Sequence, residues 1–124
     1  MRRVAVGMAV LVSLCAAAAT ATEKCEQQPS FSGGAHWYGK ELHGHRTASG
    51  VKFDKDKLTA AHPSLKFGAK VKVVSKLTGK SVVVEINDRC PVRSYRCIDL
   101  SEGAAKEIGI YPHKRNDVEC FVVK

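Results

Sequence analysis

Beyond its first twenty-odd residues this 124-residue chain has no internal repeat and no low-complexity tract, and it has no pair of cysteines two residues apart. The missing C-x2-C pair, with histidines standing apart from the cysteines, argues against a structural zinc site. Gly79-Lys80-Ser81 resembles the end of a phosphate-binding loop, but the glycine required five residues earlier is Val74, inside a β-rich run, which excludes that loop. His43-Gly44-His45 offers two imidazoles and no third ligand at a recognisable spacing, so no metal and no cofactor are expected. Long apolar runs are also missing, apart from Val4 to Ala19. That run is shorter than the roughly 20 residues of a membrane span and contains Ser13 and Cys15.

Arg2 and Arg3 ahead of that run, and small residues at its end, give it the pattern of a signal peptide covering residues 1–21, cut after Ala21. The mature chain is then Thr22 to Lys124, 103 residues and room for one domain. An acylated lipoprotein cysteine at Cys15 is disfavoured because Leu14 stands where a small residue is expected. The protein is therefore expected to be secreted or periplasmic, without stable membrane insertion. Removing Arg2 and Arg3 lowers the formal charge from +8 to +6. The lysines are scattered, which suits weak attraction to anionic wall polymers. Export argues against nucleic acid as the partner.

Four cysteines remain, Cys25, Cys90, Cys97 and Cys120, an even number in a small exported domain, so two disulfides are the expectation and three pairings are open. The rival reading of Cys90 as a thiolate nucleophile with His62 as its base ranks below a bridge in that compartment. Residues 22–34, polar and containing Pro29, Gly33 and Gly34, read as a lead-in. Val71 to Val74 and Ser81 to Ile86 read as a hairpin with a glycine turn at Gly79. Ser101 caps a helix of about two turns that Gly109 stops, and Val118 to Val123 reads as a closing strand. Several strands and one helix in so short a chain suggest a compact β-barrel over residues 35–124.

Three polar residues sit at the ends of hydrophobic elements: His62, Asp88 directly after a strand, and Asp99 two residues before the helix cap. Two carboxylates held close cannot both ionise cheaply, and the one that keeps its proton can donate it to a glycosidic oxygen. The structural alternative is that Asp88 forms a turn or pairs with Arg89 or Arg93, and that Asp99 caps backbone amides.

The series Trp37-Tyr38-Gly39, His43-Gly44, Arg46-Thr47-Ala48-Ser49-Gly50, Phe53-Asp54, Leu58-Thr59-Ala60-Ala61-His62, Phe67-Gly68, Thr78-Gly79-Lys80-Ser81, Asn87-Asp88-Arg89 and Ile98-Asp99-Leu100-Ser101 resembles the rare lipoprotein A family, related to expansin and barwin-like domains. The resemblance implies a mainly β fold, a six-stranded double-psi β-barrel with one or two short helices, stapled by disulfides, with a glycan groove across one face. Catalytic members are lytic transglycosylases, which cut between N-acetylmuramic acid and N-acetylglucosamine and leave a 1,6-anhydro end without using water. By that resemblance Asp88 and His62 match the catalytic pair, and Asp99 matches the aspartate that expansin-like relatives need for wall loosening.

Val51 departs from the pattern, since catalytic members often carry glutamate directly after Gly50, and Cys90 replaces the usual glycine as in barwin-like barrels. Three functions follow: a transglycosylase-like enzyme on naked peptidoglycan strands, a non-catalytic wall-binding or wall-loosening module, and a secreted protein-binding inhibitor or defence domain. For the glycan readings the substrate-binding candidates are Trp37, Tyr38 and Tyr95 as apolar ring faces, with Thr47, Ser49 and Asp99 as polar contacts. The expected bridges are Cys90–Cys97, clamping Pro91 to Arg96, and Cys25–Cys120, joining the two ends of the barrel. A monomer is expected.

Overall fold

The computed structural model describes residues 28–124. The expected signal peptide, Cys15 and Cys25 lie outside them. Six strands run in chain order: β1 (Phe31–Tyr38), β2 (Thr59–Ala61), β3 (Lys70–Ser75), β4 (Ser81–Asp88), β5 (Arg96–Ser101) and β6 (Asn116–Val123), with one helix, α1 (Glu102–Glu107), between the last two. They close into a barrel in the order β1-β5-β2-β4-β3-β6. Two neighbouring pairs are parallel, β1 with β5 and β2 with β4, and the others antiparallel.

Alternation decides which face of each strand is inside. Val71, Val73, Val82, Val84 and Ile86 point into the barrel and meet Ala35, Ala60, Ile98, Leu100, Val118 and Cys120, while Val83 and Glu85 face outward. The hairpin falls where the sequence places it, with Val74 opposite Ser81. Its turn starts from buried Ser75, whose Oγ accepts the Leu77 and Thr78 N–H groups, both at 3.1 Å. Ser101 caps α1 by accepting the Ala104 N–H, and Gly109 ends it at φ +76°. Ala104, Ala105 and Ile108 cover one end of the barrel.

One boundary differs from expectation. β1 begins at Phe31, inside the segment read as a lead-in, and pairs through Gly33 and Gly34 with β6. The glycines belong to the strand because the Tyr95 ring lies against Gly34, in the space a side chain would take. Among the described residues no helix is long and apolar enough to cross a membrane.

Candidate active site

Strand register brings the site together. Asp88 on β4 is opposite Ala61 on β2, Ala61 is opposite Asp99 on β5, and Asp99 is opposite His36 on β1. Residues paired across strands share a sheet face, so these four form a row across four strands. Two strand spacings of about 4.8 Å put the Asp88 and Asp99 backbones roughly 10 Å apart. Ala61, itself buried, lies between them, and the two carboxylates flank this stretch of sheet face, the trough.

Asp88 is held by backbone. Its Oδ1 accepts the Ala48 N–H at 2.9 Å and the Arg89 N–H at 2.8 Å. The Arg89 guanidinium turns away, donating to the carbonyls of Leu65 at 2.7 Å and His62 at 3.2 Å and stacking 4.0 Å above the Phe67 ring. It therefore steadies the His62 loop and, among the described residues, leaves the Asp88 side chain without an ion pair. The Thr47-to-Val51 loop supplies the Ala48 donor. Buried Thr47 organises it, with Oγ1 donating to the Val51 carbonyl at 2.8 Å and lying 3.0 Å from Ser49 Oγ. Thr47 thus acts on the loop, whereas Ser49 lines a neighbouring cavity of about 460 Å³ together with Val51, Asp54, Glu85 and Asn87.

His62 follows β2 and its backbone N–H donates to the Asp88 carbonyl at 3.2 Å. Its Nδ1 accepts two N–H groups, from Ser64 at 3.1 Å and Leu65 at 3.0 Å. A nitrogen that accepts cannot carry the proton, so neutral His62 is the Nε2–H tautomer, a donor. Burial, then the nearby Arg89 cation, hold its pKa below the usual histidine value.

Asp99 is raised above the ordinary carboxylate range by burial, opposed by Arg96, His36 and Arg93 and reinforced by the Asp88 charge. Arg96 Nε stands 3.3 Å from Asp99 Oδ1, an ion pair whose angle leaves both atoms short of a hydrogen bond. The Tyr38 hydroxyl is also buried, with the Asp88 carboxylate as its hydrogen-bonding neighbour but no well-formed bond, and burial, then the Asp88 and Asp99 charges, push its pKa well up. Asn87 Oδ1 is another orphan. Buried polar atoms are nearly always paired, so Tyr38 Oη and Asp99 Oδ1, left without a well-formed hydrogen bond beside the trough, are polar groups with unused capacity there, while Asn87 Oδ1 belongs to the neighbouring cavity.

The structure does not group all the expected contacts. Trp37 and Tyr38 are adjacent on one strand and face opposite ways, so they form no common platform. Trp37 packs on the core and on Tyr111, donates from Nε1 to the His113 carbonyl at 2.9 Å, and carries Lys114 Nζ 3.5 Å above its ring. Tyr38 lies against Phe53, with ring centres 4.6 Å apart, and offers the trough only its hydroxyl. Tyr95 is tied to Asp117 by a 2.5 Å hydrogen bond and has Arg115 stacked 3.7 Å above its ring. His43, weighed as a ligand, accepts the Lys55 N–H on Nδ1 and so braces its loop.

Cys90, Cys97 and Cys120 are free thiols, and the expected Cys90–Cys97 bridge is not formed. Cys97 instead hydrogen-bonds Cys120, because β5 and β6 flank the side-chain-free Gly33 of β1 and the two thiols meet there. Cys90 lies near Asp88 and Asp99, and burial pushes its thiol up to about 11. The Cys25 partner expected for Cys120 lies outside the described residues. Sequence reading missed His36, Arg96 and the Ala48 amide. Only cross-strand register identifies the first two, and the third belongs to the backbone.

A closed six-stranded barrel with this architecture places the chain among the double-psi β-barrels. It is similar to a Streptomyces papain inhibitor (TM-score 0.61, 20% identity, 77% of this chain and 97% of that one). It is also similar to the expansin of Clavibacter michiganensis (TM-score 0.61, 20% identity, 75% and 50%). A mutant of that expansin, solved in complex with cellohexaose, matches with a TM-score of 0.58 at 20% identity, over 75% of this chain and 50% of that one.

The family described as lytic transglycolase matches residues 30–120, and the chain belongs to it. Its curated relatives include the probable endolytic peptidoglycan transglycosylase RlpA of Synechocystis, 50% identical over 90 residues, 73% of this chain and 28% of the relative. The endolytic peptidoglycan transglycosylase RlpA of Vibrio cholerae is 49% identical over 92 residues, 74% and 35% respectively. The chain spans about a third of the length of these relatives.

Proposed function

We propose that this barrel acts on the glycan strands of peptidoglycan by lytic transglycosylation, with Asp88 as acid and base. The observation that carries the reading is the Asp88 carboxyl, fixed through Oδ1 by two backbone N–H groups at the edge of a trough whose far side is Asp99. Fixing one oxygen leaves the other to handle a proton. In this mechanism Asp88 gives its proton to the leaving glycosidic oxygen as the C1–O bond breaks. The sugar's own 6-hydroxyl then attacks C1, and its proton passes to Asp88. The acid is regenerated, a 1,6-anhydro sugar forms, and no water is consumed. His62, donating from Nε2, orients the reacting hydroxyl, and Asp99 hydrogen-bonds sugar hydroxyls. The relatives' names and the family's description support the substrate and reaction.

A non-catalytic wall-binding role is favoured by one observation. Val51, 51% exposed, stands on the wall of the cavity shared with Ser49 and Asn87, where the resemblance expects a glutamate. Glu85 and Asp54 line the same cavity, so it does not lack carboxylates.

Purified naked strands digested with wild type and Asp88→Asn separate the two roles. Asn keeps the shape and both N–H contacts while removing the ionisable group. The enzyme reading expects anhydro ends by mass spectrometry from wild type and a loss of roughly 10²–10⁴ in rate for the variant. Strand binding by wild type with no anhydro product would establish the wall-binding role.

A further inference from the structure

Beyond His36 the row runs into a second cavity, about 320 Å³, lined by His36, Arg93, Ser94, Tyr95, Arg96 and Arg115. Three guanidinium groups converge on this one depression. Arg96 is committed, to Asp99 through Nε and Nη1 and to His36 Nδ1 through Nη2 at 3.0 Å. Arg93 and Arg115 have no carboxylate within ion-pair distance among the described residues. The Arg115 guanidinium carbon instead stands 3.7 Å over the Tyr95 ring, which Gly34 and the Tyr95–Asp117 hydrogen bond hold in place. A guanidinium braced by an aromatic ring and free of a carboxylate is an anion receptor already oriented for its ligand.

We propose that this cavity is an anion subsite for a carboxylate borne on the glycan strand, the lactyl carboxylate of a muramic acid unit from which the peptide has been removed. The inference rests on the glycan reading above and adds what chemical group selects the strand. Its position supports it. Asp88 and Asp99 repel an acid group lying in the trough itself, whereas three strand spacings from Asp88, roughly 14 Å along the sheet, the sign of the charge reverses. A strand lying across the row therefore places neutral hydroxyls against the aspartates and its acid substituent against Arg93 and Arg115. His36 accepts on Nδ1 from Arg96 and so presents Nε2–H as a further neutral donor. Its pKa is held down by burial and by Arg96, Arg115 and Lys114, against the opposing pull of Asp99, so a bound anion should raise it.

The test compares naked peptidoglycan strands with chitin oligosaccharides of equal length, which have the same amino-sugar backbone without the lactyl carboxylate. Binding is measured by calorimetry and the His36 ring is followed by NMR. The subsite expects wild type to prefer the carboxylated strand about tenfold, equivalent to about 1.4 kcal/mol. It also expects the His36 titration to move upward in that complex alone. Arg93→Gln/Arg115→Gln, at two exposed positions, should bind both strands as weakly as wild type binds chitin. Equal binding of the two strands by wild type removes the subsite and leaves the glycan reading standing. Binding of neither removes both. If inorganic phosphate moves His36 and the carboxylated strand does not, the cavity takes a phosphate and the proposal falls.

Discussion

His62→Asn and His62→Gln should separate the two jobs of one imidazole. Nδ1 accepts the Ser64 and Leu65 N–H groups at 3.1 and 3.0 Å, closing the turn after β2, and Nε2–H is left for substrate. Asparagine places an oxygen near the position of Nδ1 and nothing at Nε2. Glutamine reaches Nε2 with an amide donor and leaves both backbone N–H groups without their acceptor. Each such hydrogen bond is worth about 0.5–1.5 kcal/mol net, so glutamine should cost roughly 1–3 kcal/mol more than asparagine. For a domain of this size that is a further fall in Tm of about 4–24 °C. Both variants lose the ring contact with Phe31, at 4.9 Å between centroids, so the difference between them isolates the turn.

Anhydro-sugar release per folded molecule should run the other way, higher in glutamine than in asparagine. The same geometry fixes the pH response. Because the folded pKa lies below the unfolded value of 6.5, the unfolded chain binds the proton first on acidification. The His62 contribution is therefore intact above about pH 6.5 and is lost as pH falls from there through the lowered folded pKa. Calorimetric melts of the two variants, with ¹⁵N spectra reporting the tautomer, check this. Equal stability of the two variants, or a proton found on Nδ1, would refute the assignment.

Gly34→Ala puts a Cβ inside the Tyr95 ring and should displace that ring, break its bond to Asp117 and cost roughly 1–3 kcal/mol in urea unfolding; an unchanged Tyr95 environment by NMR would contradict it. In the oxidised protein, peptide mapping should find Cys97 joined to Cys120, since those thiols already touch. Closing the loop of roughly 24 residues between them should add about 3 kcal/mol, and recovery of a Cys90–Cys97 peptide would reverse the assignment. Asp99→Asn removes a carboxylate that burial penalises, and it also weakens the Arg96 pair. Because the folded Asp99 pKa is raised, the penalty is absent below the unfolded value of 3.8 and grows as pH rises through the folded one. The variant's stability relative to wild type should therefore improve between acid and neutral pH, and pH-dependent melts that diverge in the opposite sense would show the Arg96 pair dominating.

Local chemistry made the hairpin, the capped helix and the closing strand readable from the chain alone. Valine alternation, a glycine turn and a serine cap each act within a few residues, and the run of family-like motifs carried the barrel. What the chain could not disclose depends on which strands become neighbours. The row Asp88–Ala61–Asp99–His36 exists because β2 lies between β4 and β5, and because β5 pairs with β1 in parallel, a register set by closing the barrel around its core. The same closure brings Cys97 to Cys120 across Gly33, turns Trp37 away from the trough, and collects Arg93, Arg96 and Arg115 from two separated segments at one cavity. Periodicity reports which face of an element is apolar. Only the packed barrel decides which polar faces meet, because that choice is made by long-range burial and not by any residue's own preference.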